Sequence, residues 1–190
     1  MNVELSSDGT RAAVERSVQN NVDIWLVDSA RTARFTNDNA IERFPLWSAD
    51  STRIAYNSNA GLHVRASSGD GPDEVLYESP TVKVLCDWSP DGQHLLYVEI
   101  DAQTGSPNLM TLPVSGNRTP EPFLATAATE VWGQFSPDGK WVAYQSNQSG
   151  RFEVYVRSFH GAGGQWLVDR RRNSSALELE RHRTALSGAR

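Results

Sequence analysis

Few side chains in this chain of 190 residues stand where bond-making chemistry needs them. Its four histidines, His63, His94, His160 and His182, could bind a metal or carry protons, but none forms a His-x-His or His-Glu-x-x-His pairing. They read as strand, loop and tail residues, with metal binding as the alternative. No serine sits in Gly-x-Ser-x-Gly; the nearest resemblances, Ser67-Ser68-Gly69 and Asn147-Gln148-Ser149-Gly150, read as turns. The single thiol, Cys86, has no histidine in register beside it and reads as a small core residue rather than a nucleophile. One cysteine also excludes an intrachain disulfide or a cysteine metal cluster. Asp70, Asp73 and Glu74 offer oxygens for calcium but lack the Asp-x-Asp-x-Asp-Gly order. Arg170–Arg172 is too short a basic run for a nucleic-acid site, and the net charge of −5 argues the same way. No cofactor is expected.

One acidic group recurs. Asp8, Asp50, Asp91 and Asp138 each follow a serine by two positions: Ser6, Ser48, Ser89 and Ser136. The serines are spaced by 42, 41 and 47 residues. Repetition in every unit argues for architecture over catalysis, and repeats at this period come first in any reading. After each anchor comes a β-rich run: 11–16, 53–58, 94–99 and 141–146. A second follows, as DIWLVDS (23–29), GLHVRAS (61–67), NLMTLPV (108–114) and FEVYVRS (152–158). A third, weaker run ends each unit, and a fourth precedes the next anchor. Ile24 and Leu26 face one way and Trp25 and Val27 the other, so both faces of this strand are apolar. No stretch of 1–168 shows a helical period. Four short strands per unit predict an all-β chain of about four four-stranded antiparallel blades, an open partial β-propeller rather than a closed ring. The blades fall at about 1–43, 44–84, 85–131 and 132–168, the first without its inner strand.

The anchors have a physical cause. In Ser89-Pro90-Asp91-Gly92 and Ser136-Pro137-Asp138-Gly139, proline presets φ for the first turn position. The aspartate bonds local backbone, and glycine supplies the positive φ that closes the hairpin. Ser51 stands where the others have glycine, which should strain that turn by about 1 kcal/mol. The aromatic before each later anchor, Trp47, Trp88 or Phe135, is expected to pack between sheets.

These units resemble the TolB-type propeller repeat, a WD-like family, over about residues 1–168. The stretch Phe135–Arg157 is the most typical. The wording of 88–97 and 150–159 looks most like the C-terminal propellers of bacterial serine/threonine kinases. That resemblance implies a non-catalytic module for protein or ligand interaction, with six or more blades in the relatives. No kinase motif is present, so kinase activity does not carry over. The alternatives are the gating propeller of a prolyl-oligopeptidase-type peptidase and a truncated product without function. Propellers bind at the channel mouth, and six positions before the later anchors stand Glu42, Lys83 and Glu130. By register they gather near the starts of three inner strands, as binding candidates or as plain exposed strand starts. A protein or peptide partner is expected, with self-association through exposed blade edges.

Residues 1–168 hold 12 basic and 20 acidic residues; 169–190 hold 6 and 3. This tail breaks the repeat. Read one nucleotide on, codons compatible with it spell a Gly-rich turn, a Trp-Ser pair and a Glu-Leu-Leu-Tyr strand in repeat register. We read the tail as the same gene out of frame, with a solvated basic tail as the alternative; the DNA around codon 168 tests it. No apolar run spans a membrane. The first residues lack a signal-peptide pattern, so the chain as it stands reads as cytoplasmic, with a periplasmic place suggested by the family.

Overall fold

The alternating apolar runs pair into four antiparallel sheets, each a simple meander. The computed structural model describes residues 2–59, 61–161 and 163–169. The first sheet comprises β1 (Val3–Leu5), β2 (Ala12–Val18), β3 (Asn21–Val27) and β4 (Thr32–Arg34). The second comprises β5 (Glu42–Trp47), β6 (Arg53–Ser58), β7 (Gly61–Ala66) and β8 (Glu74–Glu78). The third holds β9 (Lys83–Trp88), β10 (His94–Ile100), β11 (Pro107–Pro113) and β12 (Glu121–Leu124). The fourth holds β13 (Glu130–Phe135), β14 (Trp141–Ser146), β15 (Glu153–Ser158) and β16 (Gln165–Asp169). The sheets do not join one another, so the chain is an open arc of four propeller blades. Among the described residues no helix is long and apolar enough to cross a membrane. The tail from residue 170 on, including Arg170–Arg172 and His182, lies outside the described residues.

One expectation is corrected. The first blade has an inner strand: Val3, Glu4 and Leu5 pair with Val14, Ala13 and Ala12. Three residues are too short a run for alternation to register, but they close the blade's inner side.

Because both faces of a blade are apolar, the core divides among the junctions. Ala13, Ile24 and Phe35 of the first blade meet Trp47, Ile54 and Tyr56 of the second. Leu46, Ala55 and Leu62 meet Leu85, Trp88, Leu95 and Tyr97 at the second junction. Leu96, Val98 and Leu109 meet Phe135, Val142 and Tyr144 at the third. Alternate residues of one strand thus serve different cores: Leu95 and Tyr97 point back, Leu96 and Val98 forward. Trp47, Trp88 and Phe135 are 6%, 5% and 2% exposed, wedged between blades as their place before the anchors implies.

The anchors share one hydrogen-bond set. Each serine hydroxyl donates to the aspartate two residues on, at 2.6 Å in all four turns. The same hydroxyl accepts the amide of Arg11, Arg53, His94 or Trp141, the residue opening the next strand or just before it. The third residue after the serine closes the turn with its N–H: Gly9, Ser51, Gly92 or Gly139. Ser51 holds φ at 58°, in the left-handed region where glycine is at ease, and carries the strain its side chain implies. Each aspartate is thereby used within its turn. Hydrogen bonds from Ser6 and Ser48, then from the threonine backbone, draw Asp8 and Asp50 down to about 2.

Candidate functional site

The three charges six positions before the anchors open β5, β9 and β13, but they do not face open solvent. Glu42, Lys83 and Glu130 are 1%, 4% and 1% exposed. Each lies beneath the crossover loop that enters its strand. Glu42 accepts a hydrogen bond from the Thr36 hydroxyl at 3.0 Å and one from Ser58 at 3.4 Å. The Lys83 ammonium donates to the carbonyls of Ser79 and Thr81 and lies 3.8 Å from Glu99. Glu130 accepts from the Thr126 hydroxyl. Their register was legible; their depth was not. They lock loops to inner strands, and burial pushes Glu42 up to about 8, with a bond to Asp38 adding to the effect.

The other candidates are also occupied. The Cys86 sulfur lies 3.5 Å from the Val84 carbonyl, and burial pushes its thiol up to about 12, far from a thiolate at neutral pH. His63 stacks on Tyr56. His94 and His160, 66 residues apart in sequence, meet around Phe159 with ring centroids 6.2 Å apart. No third ligand joins them: among the described residues no group of three or more His, Cys, Asp and Glu is placed to hold a metal. Asp73 lies 3.7 Å from Arg65, and Glu74 bonds Arg118, so both of these acids have cationic partners. The Ser67 hydroxyl donates to the Ser51 carbonyl and that of Ser149 to the Arg151 carbonyl.

What the sequence reading missed lies along the inner strands. Each of β5, β9 and β13 breaks register at a similar height: opposite Tyr56 in β5 and Tyr144 in β13, and at Cys86 in β9, between the partners of Leu96 and Tyr97. In β5 the extra chain is Phe44-Pro45, and in β13 it is Trp132-Gly133. Phe44 and Trp132 occupy the same register, four positions before an anchor, and both hold positive φ, 55° and 56°. That conformation suits the glycine of a bulge; an aromatic there costs about 1–3 kcal/mol. A Cβ on Gly133 would come within 2.6 Å of a Leu96 methyl and 2.9 Å of a Leu109 methyl, so these buried side chains would have to shift. These bulges, with residues 2–4 of the first blade and 85–86 of the third, line a cavity of ≈ 180 Å³. Trp132 is 53% exposed there. Glu15 forms a buried brace behind the wall: its carboxylate accepts from Asn2 Nδ2 and from the Phe44 amide, both at 2.7 Å.

Two solved structures superpose closely on this arc. TolB from Acinetobacter baumannii matches 88% of this chain with a TM-score of 0.73 at 17% identity. A TolB-type protein from Agrobacterium tumefaciens matches 87% with a TM-score of 0.71 at 20% identity. The chain has the TolB propeller fold. It spans 42% of the first structure and 63% of the second, less than two thirds of either. The same fold underlies the match to a puromycin-hydrolysing peptidase from Mycobacterium tuberculosis: TM-score 0.70, 13% identity, 88% of this chain and 32% of that one. No sequence-family model matches the chain. The TolB propeller fold hosts several activities, so function has to be argued from the site.

Proposed function

We propose that this chain is a non-catalytic propeller module that binds a protein or peptide against its inner strands. One observation carries the reading: an exposed tryptophan held in a strained backbone conformation on the wall of a cavity. Strain of that kind is kept where the surrounding structure or the function requires it. The side chains that could do chemistry are engaged in turns, core and loop locks, which supports the non-catalytic part. Within this reading the repeat wording favours a kinase-associated propeller. The likeness to peptidase structures keeps a second reading, the gating propeller of a peptidase whose hydrolase domain lies elsewhere. A kinase-like frame beside the coding sequence, against one carrying Gly-x-Ser-x-Gly, separates the two.

Panning a phage-displayed peptide library on the wild-type chain tests the module. Enriched peptides should lose binding to Trp132→Asn, a residue that tolerates positive φ. No enrichment above the bare support would overturn the reading.

The proposal extends to self-association. Leu5 fills the repeat slot of Trp47, Trp88 and Phe135, yet it is 66% exposed on the outer side of the first blade. Trp166 and Val168 are 49% and 41% exposed on the last. Apolar sheet faces at both ends of an arc invite another copy. Light scattering after size exclusion should show dimers or larger species; a monodisperse monomer across the micromolar range would contradict this.

A further inference from the structure

We infer that the inner-strand cavity is a socket for one uncharged apolar side chain, aliphatic or aromatic, of an extended polypeptide. This rests on the proposed interaction role and names the chemistry of the partner's anchoring residue.

Every blade puts an apolar wall on the cavity. Val3 comes from the first, Phe44 and Leu46 from the second, Leu85 from the third and Trp132 from the fourth. Val3 and Trp132 are 52% and 53% exposed, so an occupant would remove apolar surface from water. At ≈ 180 Å³ the space falls below the roughly 300–1,000 Å³ of small-molecule sites and suits one side chain. Charge points the same way. No lysine, arginine or histidine lines the cavity, and the Cys86 thiol on its wall is neutral. The carboxylates are engaged: Glu15, behind the wall, accepts from Asn2 and the Phe44 amide, and Glu4 already has a partner within the chain. A charged occupant would give up its water without gaining a free counter-charge. The backbone supplies the rest. β1, β5, β9 and β13 each stand at the end of their sheet, paired on one side only, so a free edge can take the backbone of an extended chain. Two of these strands hold aromatic rings at positive φ, where glycine would remove the strain. Apolar anchors seated in such pockets are where interfaces concentrate their affinity.

The experiment uses the full chain and four small probes: the Nα-acetyl amides of norleucine, alanine, lysine and glutamate. Binding is read by NMR shifts of the tryptophan indole N–H signals. Norleucine should bind roughly 10- to 50-fold more tightly than alanine, the effect of burying two or three further methylene groups. Lysine and glutamate should bind no better than alanine, and added salt should leave the norleucine preference intact. Trp132→Asn removes a wall, and Val3→Glu brings a charge to an exposed position outside the core; each should erase most of that preference. Trp132→Asn should also melt no lower than wild type, because asparagine accepts the bulge conformation. Lysine binding as tightly as norleucine would overturn the apolar socket. Absence of binding by every probe, or a preference unchanged in Trp132→Asn, would overturn the socket itself. Conversion of oligomers to monomers by Trp132→Asn would assign the cavity to a second copy and equally overturn it. Trp132-dependent peptides from panning that share a charged residue would sink this inference and leave the interaction module standing.

Discussion

Replacing Trp88 with Ala should remove about 3–5 kcal/mol of stability, a large part of the roughly 5–15 kcal/mol that holds a domain together. Trp88 is 5% exposed and sits at the middle junction with Leu46, Leu62, Leu95 and Tyr97. The Arg53 guanidinium lies 5.0 Å from the centre of its ring, and truncation removes that contact as well. One offset works the other way: the indole N–H is buried without a hydrogen-bond partner, and its loss relieves that penalty. Trp88→Phe keeps most of the packing and should lose far less. Leu5→Ala, in the same repeat slot but exposed, should change stability by under about 0.5 kcal/mol. Urea unfolding of the three variants measures this. A Trp88→Ala loss below about 1 kcal/mol would mean that the junctions do not hold the arc.

Glu42→Gln should flatten the pH dependence of stability on the alkaline side. Buried Glu42 is pushed up to about 8 from an ordinary value of 4.5, first by burial and then by its bond to Asp38. Asp38 is lowered, chiefly by that same bond, so the pair shares one proton in which Glu42 is the donor. Between about 4.5 and 8 the folded chain holds a proton that the unfolded chain has released. The contribution of Glu42 is therefore complete below about 4.5 and lost as pH rises towards 8, at up to about 1.4 kcal/mol per pH unit. Glutamine keeps an uncharged group of the same shape and does not titrate. Melting curves from pH 5 to 9 should show the variant overtaking wild type as pH rises. Parallel profiles would refute the shared proton.

The parts of this fold that were legible in the sequence are those whose chemistry is local. The bond from Ser89 to Asp91 spans two residues and the Gly92 turn three, so a repeated tetrapeptide shows both the turn and the period. Blade faces follow from alternation, as with Ile24 and Leu26 at the first junction. Depth is not local. Glu42, Lys83 and Glu130 align by register, but their burial depends on loops that fold over them, held by hydroxyls and carbonyls with no period of their own. The bulges erased their own signal. Alternation stops at Phe44 and Trp132 because two residues there oppose one, and a broken pattern reads as weak rather than functional. The residues four before the anchors are Asn2, Phe44, Leu85 and Trp132, so the bulge slot is aromatic in only two of the four units. The meeting of His94 with His160 needed the third junction itself.

The buried locks also bear on how such a protein can evolve. Their signs run acid, base, acid along the arc, and each is matched to its own loop: Thr36 for Glu42, Ser79 and Thr81 for Lys83, Thr126 for Glu130. A blade duplicated or recombined at its sheet boundary would bring a buried charge against the wrong loop, which is heavily penalised. The inheritable module is thus offset from the visible one, running from a crossover loop through the inner strand it feeds. Blades that look interchangeable by their strands therefore differ at the loop that feeds each inner strand.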